Sequence, residues 1–398
     1  QLSGELKDRL WLLLPLLASM AVYANTLFYD FVWDDIYLIS EDHAVKSFKY
    51  LRVIFSSDFF GHQEDELVYG YFRPLITLSY ALDWSIWSGR PFGYHLSNIL
   101  LHALSSVLTG VLLRKMKFSV KVSLAASLLF AVHPIHTENT AWISGRTDIW
   151  AFVFSISAAV VHLSEQTGTK QVLSKMSAAL LFAAAMLSKE MSIVFIFWIA
   201  IIDRSFRSYS IKRVVVSLAP YVGVLLLYIF WRFYVVEVQT PFRSLDIGIL
   251  EKLFSAPWTI VRYIAWLILP IKQSAYVQNP HISGLGDIRL YIGTGVLFVL
   301  SAILYKLRRK LPNIIAFATM FIVSFIPLLN FAAISAPADM GNVMAERFLY
   351  FPSFPFAALA VLCGYELTKQ GLVSSRNAVS IFVVIIAVLG TATVLRNR

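Results

Sequence analysis

Charge is what this sequence has least of. Of its 398 residues only 15% are charged, while 58% are hydrophobic, and the mean hydropathy is +0.68. A soluble domain carries about 25% charged and about 45–50% apolar residues. The shortfall excludes an ordinary soluble protein, a disordered chain and a nucleic-acid-binding module. Cysteine is nearly absent too. Cys363 stands alone, so no intrachain disulfide can form, and that says nothing about compartment. No fixed-period repeat and no low-complexity tract is visible. What remains is the composition of an all-α, polytopic membrane protein. Its net charge is 34 − 24 = +10, an excess that in such proteins sits mostly in cytoplasmic loops.

A spanning helix needs roughly 20 mostly apolar residues. Eleven stretches are expected to serve: Leu10–Phe28, Gly93–Leu113, Val120–Val132, Trp142–Leu163, Ser174–Leu187, Met191–Ile202, Val214–Phe233, Ile288–Tyr305, Asn313–Phe331, Phe351–Leu367 and Ala378–Leu395. The third, fifth and sixth are short. The basic clusters Arg114/Lys115/Lys117, Arg204/Arg207/Lys212/Arg213 and Lys306/Arg308/Arg309/Lys310 then all follow even-numbered spans, on the cytoplasmic side if the N-terminus is cytoplasmic. Leu250–Pro270 is apolar enough to cross, but a crossing there would break this pattern. With Trp258, Arg262 and Trp266 along it, it reads as an interfacial helix.

The outer loops are then 29–92, 133–141, 188–190, 234–287 and 332–350. The first is acidic. Residues 30–83 hold Asp30, Asp34, Asp35, Glu41, Asp42, Asp58, Glu64, Asp65, Glu66 and Asp83 against Lys46, Lys49, Arg52 and Arg73. Val45–Phe60 and Phe72–Trp87 mix apolar and polar residues at helical spacing, which predicts two surface helices.

Four constellations on this side carry titratable chemistry. Asp34 and Asp35 follow the first span. Adjacent carboxylates repel each other and resist desolvation, which suits a base or a cation site; the residues by themselves favour an acidic cap in a wet loop. His133, His136 and Glu138, followed by Arg146 and Asp148, bring metal-ligating types close together. Pro134 interrupts the helix between the two histidines, however, and hydrogen bonding in a polar vestibule explains them better than a metal ion. Lys189 and Glu190 either neutralise each other in a tight helical hairpin or line the same cavity. Glu346 and Arg347 open the tenth span, where arginine can snorkel, pair with Glu346 or grip a phosphate with its planar fork. Arg73 and Arg146 share that side. Three arginines opposite an acidic pair suit an anionic, lipid-linked substrate.

Six motifs in one order carry a family resemblance: FVWDD, YFRPLITLSYALDW, GYHLSNILLHAL, HPIHTENTAWISGRTD, LSKE and NVMAERFLYFPS. From about residue 20 to 360 the chain resembles the membrane part of the transmembrane and tetratricopeptide-repeat-containing O-mannosyltransferases (the TMTC family) and their microbial relatives. That resemblance implies the GT-C glycosyltransferase fold as a single domain over residues 1–398, and a polyprenyl-phosphate sugar donor such as dolichyl phosphate mannose. It implies a catalytic base at Asp34 or Asp35. It also places Arg73, His133, His136, Glu138, Arg146, Asp148, Glu346 and Arg347 at polar positions of the outer face.

The expected function is inverting sugar transfer from the lipid donor to a hydroxyl, such as Ser or Thr of a protein acceptor. Arg347, Arg146 and Arg73 are the expected holders of the donor phosphate, and membrane lipids the surroundings; no cofactor is assigned. The expected setting is a bacterial inner membrane or the endoplasmic reticulum, with the site on the outer or lumenal face. A lipid or solute transporter and a non-catalytic scaffold of the same fold are the rival readings. The family's tetratricopeptide repeats are expected beyond Arg398.

Overall fold

The computed structural model describes residues 10–61, 70–164, 167–236, 248–271, 274–279, 281–329 and 343–397. Glu64, Asp65 and Glu66, the middle of the 234–287 loop, most of the 332–350 loop and Arg398 lie outside those residues.

Among the described residues the fold is almost entirely helical. Its main elements are α1 (Leu13–Tyr23), α2 (Pro74–Trp87), α3 (Pro91–Lys115), α4 (Val120–Val132), α5 (Thr137–Ala141), α6 (Arg146–His162) and α7 (Gly168–Met186). They continue with α8 (Val194–Ser205), α9 (Ile211–Phe230), α10 (Ile249–Ile268), α11 (Ile288–Leu307), α12 (Pro312–Val323), α13 (Tyr350–Lys369) and α14 (Ser375–Arg396). One antiparallel pair of two-residue strands joins Val277–Gln278 to Val343–Met344. Local sequence sets the starts. Ser119, Ser210 and Ser374 each accept a backbone N–H at the mouth of a helix, and proline opens α2, α3 and α12, where its missing N–H costs nothing.

Among the described residues, seven helices are long and apolar enough to cross a membrane, and an eighth if α4 and the bent 134–141 segment make one span. The chain is a multi-pass membrane protein. Four of the eleven expected spans fall outside the seven. Val120–Val132 and Met191–Ile202 become the 13-residue α4 and the 12-residue α8. Trp142–Leu163 and Ser174–Leu187 become α6 and α7, which begin with charged residues at Arg146, Asp148, Lys170 and Lys175. These helices sit within the bundle, where α6 packs against α3 and α7. Their apolar sides close on a core built around Phe130, Phe152, Trp198 and Phe354. Burial among other helices lets α4, α6 and α8 be short or polar, whereas α7 keeps an exposed apolar face at Val172, Leu173, Met176 and Leu180.

The acidic loop folds onto one end of this bundle. Of its two expected helices, Phe72–Trp87 appears as the 14-residue α2, but Val45–Phe60 yields only short turns at Phe48–Tyr50 and Leu51–Ile54. The Leu250–Pro270 stretch becomes α10. Three of its hydrogen bonds run to connections at the Asp34 end: Ile282 N–H donates to Ser255, Asn279 donates to Thr259, and His133 Nε2 donates to the Leu267 carbonyl. The ends of α3, α8 and α11 carrying Lys115, Arg204 and Lys306 lie at the opposite, basic end.

Candidate active site

The turn Val32–Asp35 is held from both sides. Asp35 N–H donates to the Val32 carbonyl at 3.0 Å, and the Asp35 carboxylate accepts from Val32 N–H at 3.2 Å. Trp33 between them adopts φ +51°, a left-handed conformation that a bulky side chain rarely takes. Its ring meets Trp142 edge-on at 6.1 Å.

Asp35 is fully buried. One carboxylate oxygen accepts from Ser144 twice, from the backbone N–H at 2.8 Å and from the hydroxyl at 2.5 Å. Burial pushes its carboxyl up to about 6, against the pull of the Ser144 and Val32 hydrogen bonds. Asp35 therefore ties the acidic loop to the segment between α5 and α6.

Its neighbour Asp34 is solvent-accessible and makes no hydrogen bond to any described residue. It lines a pocket with room for about 130 Å³, shared with Tyr71, Arg73, Trp142, Ser144, Lys189, Glu190, Arg347 and Phe348. The surrounding protein pushes the Asp34 carboxyl above its ordinary value, while the positive charges of Arg347 and Arg73 pull it back.

Each cation around the pocket is held by an acid from another segment. Arg73 forks onto Glu190, with Nη2 at 2.7 Å and Nε at 3.3 Å, and lies over the Tyr71 ring at 4.4 Å. Although burial pushes Glu190 up, the Arg73 guanidinium holds it at about 2. Lys189 Nζ meets Asp148 at 2.6 Å, and Asn139 donates to the same carboxylate at 3.2 Å. Arg347 pairs with Glu138 through its Nη1 and its backbone N–H, and its Nη1 also reaches the Ala275 carbonyl. Its Nη2 and Nε have no hydrogen-bond partner among the described residues. A quarter of its side chain is exposed.

These pairings differ from those the linear order suggests. Lys189 and Glu190 do not neutralise each other, and Arg347 does not serve Glu346. Glu346 turns away to Arg396, at 2.6 and 2.7 Å. Arg396, an arginine at the end of the last span, thereby gains a buried partner.

Arg146 lies outside the pocket. It is 1% exposed, and its guanidinium is spent on Asp83 at 2.6 Å, Asn98 at 2.9 Å, the Tyr94 carbonyl at 3.0 Å and Ser79 at 3.4 Å. This geometry leaves it no reach to a donor phosphate. His133 and His136 are likewise absent from the lining. His133 Nε2 donates to Leu267, its Nδ1 accepts from Ile135 N–H, and His136 contacts Ser353 at 2.8 Å. Among the described residues no three His, Cys, Asp or Glu side chains cluster as metal ligands would.

Sequence reasoning missed Asn98 and Ser144. The Asn98 amide donates to the carbonyls of Thr140, Trp142 and Ile143, which shapes the turn that offers Ser144 to Asp35. Gly145 completes that turn: a Cβ there would stand 2.5 Å from the Glu138 carbonyl oxygen and 2.8 Å from Asn139 Cα. The pocket's aromatic walls, Trp142, Tyr71 and Phe348, were signalled only by the aromatic richness of the loops.

No family model matches the sequence. Among curated proteins, the Drosophila melanogaster protein O-mannosyl-transferase Tmtc2 is 32% identical over 274 residues, covering 66% of this chain and 29% of that protein. The Caenorhabditis elegans protein O-mannosyl-transferase F38B6.6 is 26% identical over 97% of this chain and 55% of its own length. The chain is similar to the TMTC protein O-mannosyltransferases. Human protein O-mannosyl-transferase TMTC3 adds 33% identity over 176 residues. The chain spans between 29% and 55% of the first two relatives. Among solved structures, an Archaeoglobus fulgidus oligosaccharyltransferase tethered with an acceptor peptide aligns with 96% of this chain and 55% of its own, at 14% identity and a TM-score of 0.47.

Proposed function

We propose that the chain is the membrane-embedded catalytic part of an inverting O-mannosyltransferase that uses a polyprenyl-phosphate sugar donor. One observation carries the reading: Asp34 presents a carboxylate without a hydrogen-bond partner among the described residues to a pocket walled by Arg73, Lys189 and Arg347, while Asp35 is spent on holding the turn. The TMTC relatives supply the reaction class, with mannose as the sugar.

An acceptor Ser or Thr hydroxyl enters the pocket beside Asp34. Its oxygen attacks the anomeric carbon from the face opposite the lipid phosphate. Asp34 takes the hydroxyl proton as the new glycosidic bond forms. The bond from the anomeric carbon to the phosphate oxygen breaks, and the phosphate leaves with the electron pair. Arg347 meets that charge with Nη2 and Nε, the fork Glu138 leaves free. Arg73 and Lys189, each neutralised by a fixed acid, shape the field around the phosphate without over-stabilising the ground state. The pocket lies on the outer or lumenal face, opposite the basic end. Residues 1–398 act as one domain, and acceptor selection falls to segments outside the pocket.

The test is transfer of mannose from a polyprenyl-phosphate donor by the full-length protein in membranes. Asp34→Asn lowers turnover by about 100-fold or more, the scale of lost general-base assistance, with donor binding little changed. Near-normal turnover by Asp34→Asn in a folded protein rejects the assignment.

A further inference from the structure

At the end of the bundle opposite Asp34, a second and larger pocket opens between the ends of α3, α6 and α8 and the beginnings of α7 and α9. It has a volume of about 560 Å³. Lys115, Lys117, Lys175, Arg207 and Arg213 all line it, and no carboxylate stands among its lining residues. Such concentrated charge of one sign is self-repelling, so it calls for an anion.

The pocket has a built floor. Asp203 is fully buried and gathers His162 Nε2 at 3.0 Å, Arg207 at 3.2 Å and the Ser217 hydroxyl at 2.5 Å. Tyr221 contacts the other nitrogen of His162 at 2.9 Å. This network fixes Arg207 with part of its side chain still exposed. Two guanidinium groups lie over the Tyr209 ring, Arg213 at 3.7 Å and Arg207 at 4.4 Å from its centroid, which holds both cations at the pocket mouth. Lys115, Lys117 and Lys175 are exposed and have no ion-pair or hydrogen-bond partner among the described residues. Asp203 pairs with Arg207 alone of the five cations and leaves Lys115, Lys117, Lys175 and Arg213 without a carboxylate partner among the described residues.

The wall has a second character. Val216 and Pro220 line the pocket, and beside them Val172, Leu173, Met176 and Val215 are exposed on helices that pack against other spans on one side only. A phosphate-bearing head seated on the cations would lay its tail along this apolar surface. A soluble anion would use the cations alone.

We propose that this pocket binds an anionic phospholipid whose headgroup carries a phosphate, at the cytoplasmic leaflet, where basic residues concentrate. The site is independent of the sugar-transfer reading and stands or falls without it. The ligand would couple α3, α6, α7, α8 and α9 at the end remote from Asp34.

The experiment uses the full-length protein purified in detergent and titrated with dioctanoyl phosphatidylinositol 4-phosphate, followed by native mass spectrometry. Dioctanoyl phosphatidylcholine and soluble inositol 1,4-bisphosphate are titrated in parallel. The expected result is at least tenfold tighter binding of the anionic lipid than of either control. Lys117→Glu combined with Lys175→Glu should weaken that binding at least tenfold while leaving ligand-free thermal stability unchanged, because both side chains are exposed and unpaired among the described residues. Equal binding of the two lipids overturns the proposal. Binding of the soluble headgroup as tight as that of the lipid identifies a soluble-anion site and overturns the lipid assignment. Full lipid binding by the doubly substituted protein places the lipid elsewhere and overturns it too.

Discussion

Asp35 holds Ser144 by two hydrogen bonds to one carboxylate oxygen, 2.8 Å from the backbone nitrogen and 2.5 Å from the hydroxyl. Two segments 109 residues apart are thereby joined beside the pocket. The arrangement makes Asp35 a positioning residue, and it has a pH signature. Its carboxyl titrates near 6 in the folded protein, raised by burial, against about 4 in an unfolded chain. A group whose folded value is raised contributes stability that is fully present below the unfolded value and lost as pH rises through the folded one. Thermal unfolding of Asp35→Asn, compared with the parent protein from pH 4 to pH 7, should show the difference shifting in favour of the variant as pH rises through 6. A constant offset would mean that Asp35 does not titrate there. Asp35→Ala strands the Ser144 and Val32 donors and should cost about 1–3 kcal/mol for each one left unpaired.

Asp34 should declare itself in the pH profile of transfer. A base acts only when ionised, so activity falls as pH drops through its folded pKa. Partial desolvation by the surrounding pocket walls raises that pKa, and the charges of Arg347 and Arg73 lower it. The acid limb should therefore sit above the ordinary aspartate range of about 4. Arg347→Gln removes a positive charge and should move the limb to higher pH. Arg347→Lys keeps the charge but loses the fork, so it should leave the limb in place and raise the KM for donor. A limb that ignores both changes would detach Arg347 from Asp34.

Arg146 was an expected phosphate ligand, and the geometry makes it a structural tie between α2, α3 and α6. Lysine cannot satisfy Asp83, Asn98, Ser79 and the Tyr94 carbonyl together. Arg146→Lys should lower the melting temperature, in line with a cost of about 3–5 kcal/mol for breaking a buried pair. The surviving folded fraction should keep its KM for donor. An unchanged melting temperature with a raised KM would return Arg146 to the donor site.

Much of this was legible from residue order, and the rest was not for physical reasons. Hydropathy finds lipid-facing helices such as α11 and α14, because their surroundings demand apolar residues all round. It handles α4, α6 and α8 poorly, since helices wrapped by other helices can be short or carry Arg146 and Asp148 at their ends. The motifs brought Asp34, Asp35, Arg73, Lys189 and Arg347 to one end of the fold. Partner choice was hidden: Glu138 with Arg347, Glu190 with Arg73 and Arg396 with Glu346 join residues 209, 117 and 50 positions apart. Adjacent charges such as Lys189 and Glu190 suggest a local pair, but the backbone sends them to different segments. Asn98 left no signal, because an asparagine inside an apolar helix is as consistent with a helix–helix contact as with a carbonyl staple.

Both pockets depend on sidedness for their biological setting. Cys363 is the chain's only cysteine and is exposed, so Cys363→Ser gives a clean background for single-cysteine labelling. Arg308 lies between α11 and α12 at the basic end and is exposed; its guanidinium donates to the Tyr305 carbonyl at 2.6 Å and lies over the Tyr305 ring at 3.5 Å. Trp33 lies at the opposite end, 68% exposed. In sealed cells or oriented vesicles, a membrane-impermeant thiol reagent added outside should label a cysteine at position 33 and spare one at position 308. After permeabilisation both should react. Charge predicts this outcome because moving a basic cluster across the membrane is disfavoured, and three such clusters share the 308 end. Labelling of position 308 from outside would invert the protein. Asp34 would then face the cytoplasm, away from translocated acceptors, and the basic pocket would lose its contact with the anionic leaflet.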